Sequence, residues 1–190
     1  MYKKLSVAIL TGALFSLPVH AANVVIDPSN STHNQGDVFS VDVLGKGFTT
    51  ALDAGGVNLS FDSTILAIAD SSKLPLGVSN SVQFKSPWTL TFAPSISDGS
   101  LNDALFFADS APSGNFSIFT VWFEATAPGT SPLTLTESTL NPFAGAGGGL
   151  AVSLTNAQVS VVPLPPTAWL FASGLVLLVT QRKIRAQRAA

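Results

Sequence analysis

Short segments in which apolar and polar residues alternate run through most of this chain. The three clearest segments span residues 39–43, 57–61 and 119–123. A period of two over several residues indicates a β-strand with one buried face and one outward face. Weaker strand candidates are the segments 23–27, 65–69, 81–85, 88–92, 104–108, 131–136 and 151–162. The pattern therefore predicts roughly nine or ten short strands.

Turn-forming clusters separate these segments. Residues such as Gly, Asn, Asp and Pro concentrate at 34–36, 54–56, 97–99 and 112–114, as they do in the tight turns between strands. No stretch of the body has helical periodicity over several turns, and no strand–helix alternation indicates a parallel sheet. We therefore expect an all-β fold, a β-sandwich formed by residues 22–161.

The composition indicates that part of the chain lies beside lipid. Hydrophobic residues make up 46% of the 190 residues and charged residues only 11%, whereas a soluble globular protein has roughly 25% charged residues. Cysteine is absent, which excludes disulfides, iron–sulfur clusters and thiol nucleophiles. The body must hold by packing alone, and its length of about 140 residues is sufficient for a core.

Charge is segregated along the sequence. The basic residues concentrate at both ends, whereas all eleven acidic residues lie between Asp27 and Glu137. That middle stretch contains three lysines and no arginine. Binding to nucleic acid requires clusters of lysine or arginine that neutralise phosphates. The acidic body therefore argues against nucleic acid as a partner.

Residues 1–21 have the parts of a secretory signal peptide. A basic start precedes an apolar run at 5–17, and compact residues follow it. We expect cleavage after Ala21, so that the mature chain begins at Ala22. The alternative is an uncleaved membrane anchor, but the apolar run is short and lacks a stop-transfer flank.

The last segment, 162–190, has three parts as well: a proline motif, an apolar stretch and a basic cluster. Proline suits the first turn of a helix and prevents the helix from extending backwards. At about 1.5 Å per residue, residues 165–180 span roughly 24 Å, slightly less than a ~30 Å hydrocarbon core. We expect a single transmembrane helix with its basic end in the cytoplasm and the body outside. The motif is Val162, Pro163, Leu164, Pro165 and Pro166, and the basic cluster is Arg182, Lys183, Arg185 and Arg188.

In this order, the three parts resemble the PEP-CTERM sorting tail of Gram-negative bacteria that make extracellular polysaccharide. The resemblance implies that exosortase cleaves near residues 163–166, so that the membrane anchor is transient and the body reaches the surface or the extracellular matrix. Leu164 stands where the commonest motif has glutamate, which leaves the exosortase subtype open. The alternative is a permanent carboxy-terminal anchor, but such an anchor has no need of prolines immediately before its helix.

The body resembles a second known family. An amino-terminal strand leads to segment 36–43, segment 56–66 joins an inner strand to a Phe-Asp turn, and segment 114–125 precedes segment 129–135. This order is similar to that of cohesin-type domains, which bind dockerin modules in cellulosomal scaffoldins. The resemblance implies a nine-stranded jelly-roll sandwich. The matching residues are packing and turn residues, so they indicate the fold and carry no dockerin-contact residues onto this chain.

The body lacks a set of residues that would catalyse a reaction. After signal cleavage His33 is the only histidine, and it lies in a polar run, 29–36, that predicts a loop. Glu124 and Glu137 are the only glutamate pair available to a glycosidase, and each is expected at an outward strand position or a strand end. The glycine-rich segment 144–149 lacks the Lys and Ser/Thr of a phosphate loop and predicts a hairpin tip. We therefore expect that this protein is not an enzyme.

Two weaker signals concern calcium and carbohydrate. Asp98, Asn102 and Asp103 supply oxygen ligands of the kind that calcium takes, but their spacing departs from that of an EF-hand, and we expect no other cofactor. Trp88 and Trp122 are the tryptophans of the body and are candidate carbohydrate contacts. Trp122 is out of phase with the apolar set of its strand and is expected to face outward. The alternative is that such a residue packs against the core.

Together these observations predict a secreted, exosortase-processed protein of the cell surface or extracellular matrix that acts by adhesion or scaffolding. Its expected partners are exosortase, the membrane while the tail is attached, and extracellular polysaccharide or surface proteins. The first alternative is a carbohydrate-binding module, which exposure of Trp88 and Trp122 on one face would favour. The second is a hydrolase, which requires a cleft that gathers Asp98, Asp103 or Glu124.

Overall fold

The structure, a computed structural model, describes residues 22–164. The predicted signal peptide, transmembrane helix and basic cluster lie outside the described residues. Between residues 22 and 164, no helix is long and apolar enough to cross a membrane. The chain forms one short 3₁₀ helix, Ser71–Lys73, in this range. The strands are β1 (Ala22–Asp27), β2 (Asn30–Asn34), β3 (Val38–Phe48), β4 (Ala54–Ser60), β5 (Leu66–Ile68), β6 (Val82–Phe84), β7 (Trp88–Phe92), β8 (Ser95–Ser97), β9 (Ser100–Ala108), β10 (Gly114–Ala125), β11 (Gly129–Glu137), β12 (Ala144–Gly145), β13 (Gly148–Gly149), β14 (Val152–Thr155) and β15 (Ala157–Val162).

The strands form two sheets around one core. The first sheet has the order β14-β1-β3-β10-β5, and β6 also pairs with β10. The second sheet has the order β13-β12-β4-β11-β15-β2, and β9 joins β7 and β8 to β4. The apolar side chains of both sheets contribute to a single buried cluster. The predicted all-β sandwich is confirmed.

Both ends of the domain cross from one sheet to the other, which closes the sandwich. β1 pairs in parallel with β14 in the first sheet, where Ala22 lies opposite Val152. The chain then continues into β2, which pairs in parallel with β15 in the second sheet, where Asn30 lies opposite Gln158. The first and last segments of the domain therefore stabilise each other in both sheets.

The core is formed by the apolar positions that the alternation predicts. Phe119, Val121 and Phe123 of β10 are fully buried, as predicted. Aromatic rings from the two sheets meet between them, and the ring centroids of Phe84 and Phe106 are 6.2 Å apart. Complete burial of a side chain of this kind contributes roughly 1.5–3 kcal/mol to folding. The core therefore holds the domain together without disulfides.

Of the two strands that the sequence pattern does not predict, β2 and β8, the first is the longer. The polar run 29–36, predicted as a loop, contains β2. The partly buried positions of this strand are Ser31 and His33, so no apolar alternation marks it. The His33 ring stacks on Phe39 with a centroid distance of 3.7 Å. In β2 the stack of His33 on Phe39 therefore takes the place of buried aliphatic side chains, so the strand lacks the alternating apolar residues by which a strand is recognised in a sequence.

Two features near the carboxy-terminal end differ in how well they were predicted. The segment 151–162, predicted as one strand, divides into β14 and β15. The division falls at Asn156, whose Oδ1 accepts a hydrogen bond from the Leu135 amide. The segment 144–149 forms the predicted hairpin, in which β12 pairs with β13.

Candidate functional site

The chain leaves the domain directly from its last strand. Val162, the first residue of the predicted sorting motif, ends β15, and its carbonyl accepts a hydrogen bond from Gln35 N at 2.9 Å. Pro163 is exposed, and Leu164 is 45% exposed. The motif therefore begins at the surface, with no linker after the domain. The rest of the motif and the four basic residues lie outside the described residues.

Loops around this exit are joined by hydrogen bonds. Asn34 N donates to Asp37 Oδ2 at 2.7 Å, and Gln35 Nε2 donates to the Thr126 carbonyl at 2.9 Å. The first bond lies within the turn before β3, and the second connects that turn with the loop after β10. We call this region the exit end, and it comprises residues 34–37, 62–65, 126–129 and 162–164.

Two titratable groups near the exit end have shifted pKa values. Hydrogen bonds from Oγ1 and N of Thr64 lower the pKa of the Asp62 carboxyl. Burial lowers the pKa of His33, and the nearby Asp37 carboxylate opposes that shift. The folded domain therefore favours a neutral imidazole against Phe39 and an ionised carboxylate at Asp62.

Trp88, one of the two candidate carbohydrate contacts, is a core residue. Its side chain is 5% exposed, and its Nε1 donates a hydrogen bond to the Ser117 carbonyl at 2.9 Å. Its ring packs against Phe106 and Phe116, with centroid distances of 4.9 and 5.4 Å. The ring faces the inside of the sandwich, so Trp88 does not offer a surface on which a sugar could stack.

Trp122, the other candidate, lies on the outer face of the first sheet, opposite Ser40 of β3. Its backbone N donates to the Ser81 carbonyl at 2.8 Å, and its carbonyl accepts from Ala69 N at 2.9 Å. Its indole is partly buried. The Nε1 atom is buried without a hydrogen-bond partner in the described part of the chain. The two tryptophans therefore do not share an exposed face.

The two glutamates that could have served a glycosidase are far apart in the topology. Glu124 lies on β10 in the first sheet and binds Lys73 Nζ at 2.6 Å. Glu137 ends β11 in the second sheet, and its Oε1 accepts a hydrogen bond from Phe143 N at 2.8 Å. Each carboxylate has a partner within the fold, and the pair does not flank a common site.

Two of the three calcium candidates, Asn102 and Asp103, make side-chain contacts within the domain. Asp98 lies in the turn between β8 and β9. Asn102 Nδ2 donates to Ser100 Oγ at 3.0 Å. Asp103, with a φ of 55°, accepts a hydrogen bond from Ser138 Oγ at 2.7 Å. Among residues 22–164, no three His, Asp or Glu side chains group in a way that would hold a metal ion.

A cleft of about 380 Å³ opens at one edge of the sandwich. It lies between β6 of the first sheet and β7 and β8 of the second. Small-ligand sites have volumes of roughly 300–1,000 Å³, so the cleft is large enough for one. None of the residues that line it is ionisable. One wall is polar, with Ser71, Ser79 and Asn80, and the other is apolar, with Leu90, Pro94 and Ile96.

The polar wall belongs to a segment that is fixed to the first sheet. Asp70 Oδ1 accepts a hydrogen bond from Ser72 N at 2.8 Å, which caps the 3₁₀ helix and lowers the pKa of Asp70. The helix ends at Lys73, whose ammonium binds Glu124. Farther along, Ser81 Oγ donates to the Ala69 carbonyl. The wall is therefore preformed, and its outward hydroxyl and amide groups are available to a ligand.

The apolar wall belongs to residues 88–97, which we call the β7–β8 arm. Leu90 is 37% exposed and Ile96 is 54% exposed. In the pairing of β7 with β9, Leu90 lies opposite Phe106 and Phe92 lies opposite Leu105, with a register shift between them. Such a bulge reverses the face of the following residue. Phe92 therefore points away from the core and is 69% exposed.

The alternation of apolar and polar residues predicts β7 but does not reveal the cleft. β8 is the triplet Ser-Ile-Ser, which is too short for an alternating pattern to be recognised. The two walls come from different sheets, and β6 meets its neighbours only in the folded domain. The one available signal was the segment 87–96, which contains no charged residue and in which apolar residues predominate.

No protein-family model matches the chain, and no curated protein matches it. Solved structures do match. A cohesin module from a family 33 glycoside hydrolase of Clostridium perfringens has a TM-score of 0.60 at 11% identity, with coverage of 76% of this chain and 98% of that one. The domain has the cohesin fold.

Two further cohesins have similar values. A cohesin from Clostridium thermocellum, solved in a type I cohesin–dockerin complex, has a TM-score of 0.57 at 14% identity and covers 75% of this chain and 99% of that one. A non-cellulosomal cohesin from the archaeon Archaeoglobus fulgidus has a TM-score of 0.52 at 20% identity, with coverage of 75% and 91%. The cohesin-like jelly roll predicted from the sequence is thus confirmed as the fold of this domain.

Proposed function

We propose that this chain is a secreted adhesion or scaffolding protein whose cohesin-fold domain is non-catalytic and is delivered by its tail. After export, exosortase cleaves within the motif 162–166 and leaves the membrane helix behind. The domain then acts at the cell surface or in a polysaccharide-rich matrix. The observation that carries the proposal is the junction itself, since the cohesin-fold domain ends at Val162, where the proline motif begins.

The fold supports a binding role. The Clostridium thermocellum cohesin is seen in complex with a dockerin, so this kind of sandwich serves there as a protein-binding module. In this chain, Glu124 and Glu137 are occupied by Lys73 and by the Phe143 amide. The cleft is lined by none of the acidic residues that a hydrolase would use. These contacts favour adhesion over catalysis.

The processing step is tested by the mass of the mature protein. The full chain is produced in a bacterium that makes exosortase and in the same strain without it. We expect the extracellular product to begin at Ala22 and to end within residues 163–166, and to be absent without exosortase. A product that keeps Trp169 to Arg185 in the membrane fraction of the normal strain would contradict the proposal.

Matched charge variants separate the tail from the body. Replacing the four basic tail residues with alanine removes the cytoplasmic flank of the helix, whereas replacing the three body lysines leaves the tail unchanged. We expect only the first change to abolish cleavage and retention in the matrix. If a chain that ends at Val162 appears outside the cells in an equal amount, the tail has no part in delivery. The tail residues changed are Arg182, Lys183, Arg185 and Arg188, and the body residues are Lys46, Lys73 and Lys85.

A further inference from the structure

The two walls of the cleft have different chemistry. Ser71 and Asn80 on the polar wall present exposed hydroxyl and amide groups. These groups both donate and accept hydrogen bonds. Leu90 and Ile96 on the opposite wall present aliphatic surface to solvent. A ligand that fits between the walls must have an apolar side and a side rich in hydrogen-bonding groups.

The absence of charged side chains from the lining further limits the classes of ligand that the cleft can bind. All eleven acidic residues lie in the described domain, yet none of them lines the cleft, and no lysine does. A charged ligand would lose hydration against Leu90 and Ile96 without gaining an ionic partner, which is unfavourable. The Lys73 ammonium, two residues after Ser71 in the sequence, is already paired with the Glu124 carboxylate. The cleft therefore selects an uncharged ligand.

The edge beside the cleft is poorly suited to a polypeptide. A peptide commonly binds a sheet edge by adding a strand, which requires a continuous row of backbone groups. Here β7 carries a bulge between Leu90 and Phe92. Ala93 and Pro94 then interrupt the edge before β8 begins. Bulges and prolines are the devices that protect sheet edges from added strands.

From these observations we infer that the cleft binds a sugar segment of a neutral polysaccharide. A sugar ring has a face of C–H groups, which suits Leu90 and Ile96, and a rim of hydroxyl groups, which suits Ser79 and Asn80. The inference rests on the proposed function and deepens it, because it names the matrix component that the domain binds. The contact is made by aliphatic side chains and not by either tryptophan.

Titration calorimetry tests the ligand class. The full chain is held in micelles of a detergent without a sugar headgroup and is titrated with hexasaccharides of a neutral glucan, a neutral mannan and a polyuronate. We expect at least one neutral oligomer to bind and the polyuronate to bind at least about tenfold more weakly. Binding of the polyuronate with equal affinity, or of no neutral oligomer, would overturn the inference.

Three variants test the location. Ile96→Asp places a charge in the apolar wall and is expected to weaken binding of the neutral oligomer by more than about tenfold. Asn80→Ala removes hydrogen-bonding groups and is expected to weaken it about three- to tenfold. Leu140→Asp is the matched control, because Leu140 is 70% exposed and lies outside the cleft. We expect the control to bind as the unchanged chain does.

The remaining outcomes are equally decisive. Thermal unfolding shows whether Ile96→Asp is folded, and Asn80→Ala, at an exposed position, provides a second measurement if it is not. Unchanged binding by Asn80→Ala and a folded Ile96→Asp would place the sugar elsewhere and overturn the inference. A synthetic valine–threonine peptide that binds more tightly than any sugar, and loses binding in Ile96→Asp, would assign the cleft to a polypeptide.

The inference and the proposed function fail in different ways. If exosortase does not process the chain, the delivery mechanism is wrong whatever the cleft binds. If the chain is processed and retained in the matrix, yet Ile96→Asp is retained as well and no neutral oligomer binds, only the ligand is wrong. The calorimetric and retention measurements therefore separate the two.

Discussion

The exit end and the β7–β8 arm belong to the same domain but differ in what holds them. At the exit end, polar bonds fix the turn between β2 and β3, as between Asn34 and Asp37, and join it to the loop after β10, as between Gln35 and Thr126. The arm pairs with β9 through β7 and β8, and Trp88 enters the core, but Phe92 and Ile96 remain in solvent. Directional bonds fix the loops of the exit end. The exposed apolar side chains of the arm instead offer a surface for contact with a ligand or partner. The contrast separates a polar end, from which the chain leaves the domain, from an arm with exposed apolar side chains.

The largest expected effect lies within the arm. Trp88→Ala removes a buried ring and its hydrogen bond to Ser117, and we expect it to lower the free energy of unfolding by about 3–5 kcal/mol. Phe92→Ala, on the same strand but exposed, should change it by less than about 0.5 kcal/mol. Urea unfolding measures both. Similar losses in the two variants would mean that the arm is packed along its whole length.

A smaller effect is expected at the exit end. Asp37→Ala removes the acceptor for the Asn34 amide, and we expect a loss of about 1 kcal/mol in the free energy of unfolding. Asp109→Ala, at an exposed aspartate, is the matched control and should be nearly neutral. Equal stability of the two variants in urea unfolding would show that the polar bonds do not hold the exit.

The polar wall of the cleft depends on a weaker contact. Lys73→Met breaks the ion pair with Glu124, in which the side chains are 50% and 22% exposed. At such exposure the pair contributes about 0.5 kcal/mol, and salt screens it. We expect the thermal stabilities of the two proteins to converge in high salt. A difference that persists in high salt would assign the effect to packing of the lysine stem.

The smallest expected effect is a pH dependence of stability that comes from His33, the residue directly before the exit end. Because the folded pKa of His33 lies below its ordinary value of 6.5, the unfolded chain takes up a proton first as the pH falls. His33 therefore contributes stability that is present above pH 6.5 and is lost as the pH drops through the folded pKa. His33→Phe should remove this part of the dependence of the melting temperature. An identical pH profile in the variant would contradict the lowered pKa of His33.

Local alternation carried most of the information about the fold. Phe119, Val121 and Phe123 were placed correctly because β10 lies between β3 on one side and β5 and β6 on the other, so that these inward positions are fully buried and apolar. β2 was missed because its inward positions are Ser31 and His33, whose burial depends on Phe39. Trp88 could not be placed from its own strand, since its partner is the Ser117 carbonyl in the other sheet.

The candidate site was harder to predict for the same reason. A motif such as 162–166 is contiguous in sequence, so it can be recognised before the fold is known. The cleft joins Asn80 to Ile96 across two sheets, and its apolar wall includes Ile96 of β8, a strand too short for alternation to reveal. Sites assembled from distant strands are therefore the part of this molecule that only the folded structure provides.

The position of β15 has a mechanical consequence. A pull on the carboxy terminus acts along this strand, which forms five residue pairs with β2 on one side and five with β11 on the other. Tension along the strand is shared by both ladders at once, whereas tension across it would open them one rung at a time. A domain attached through Leu164 and dragged by flowing water would thus resist unravelling from its tethered end.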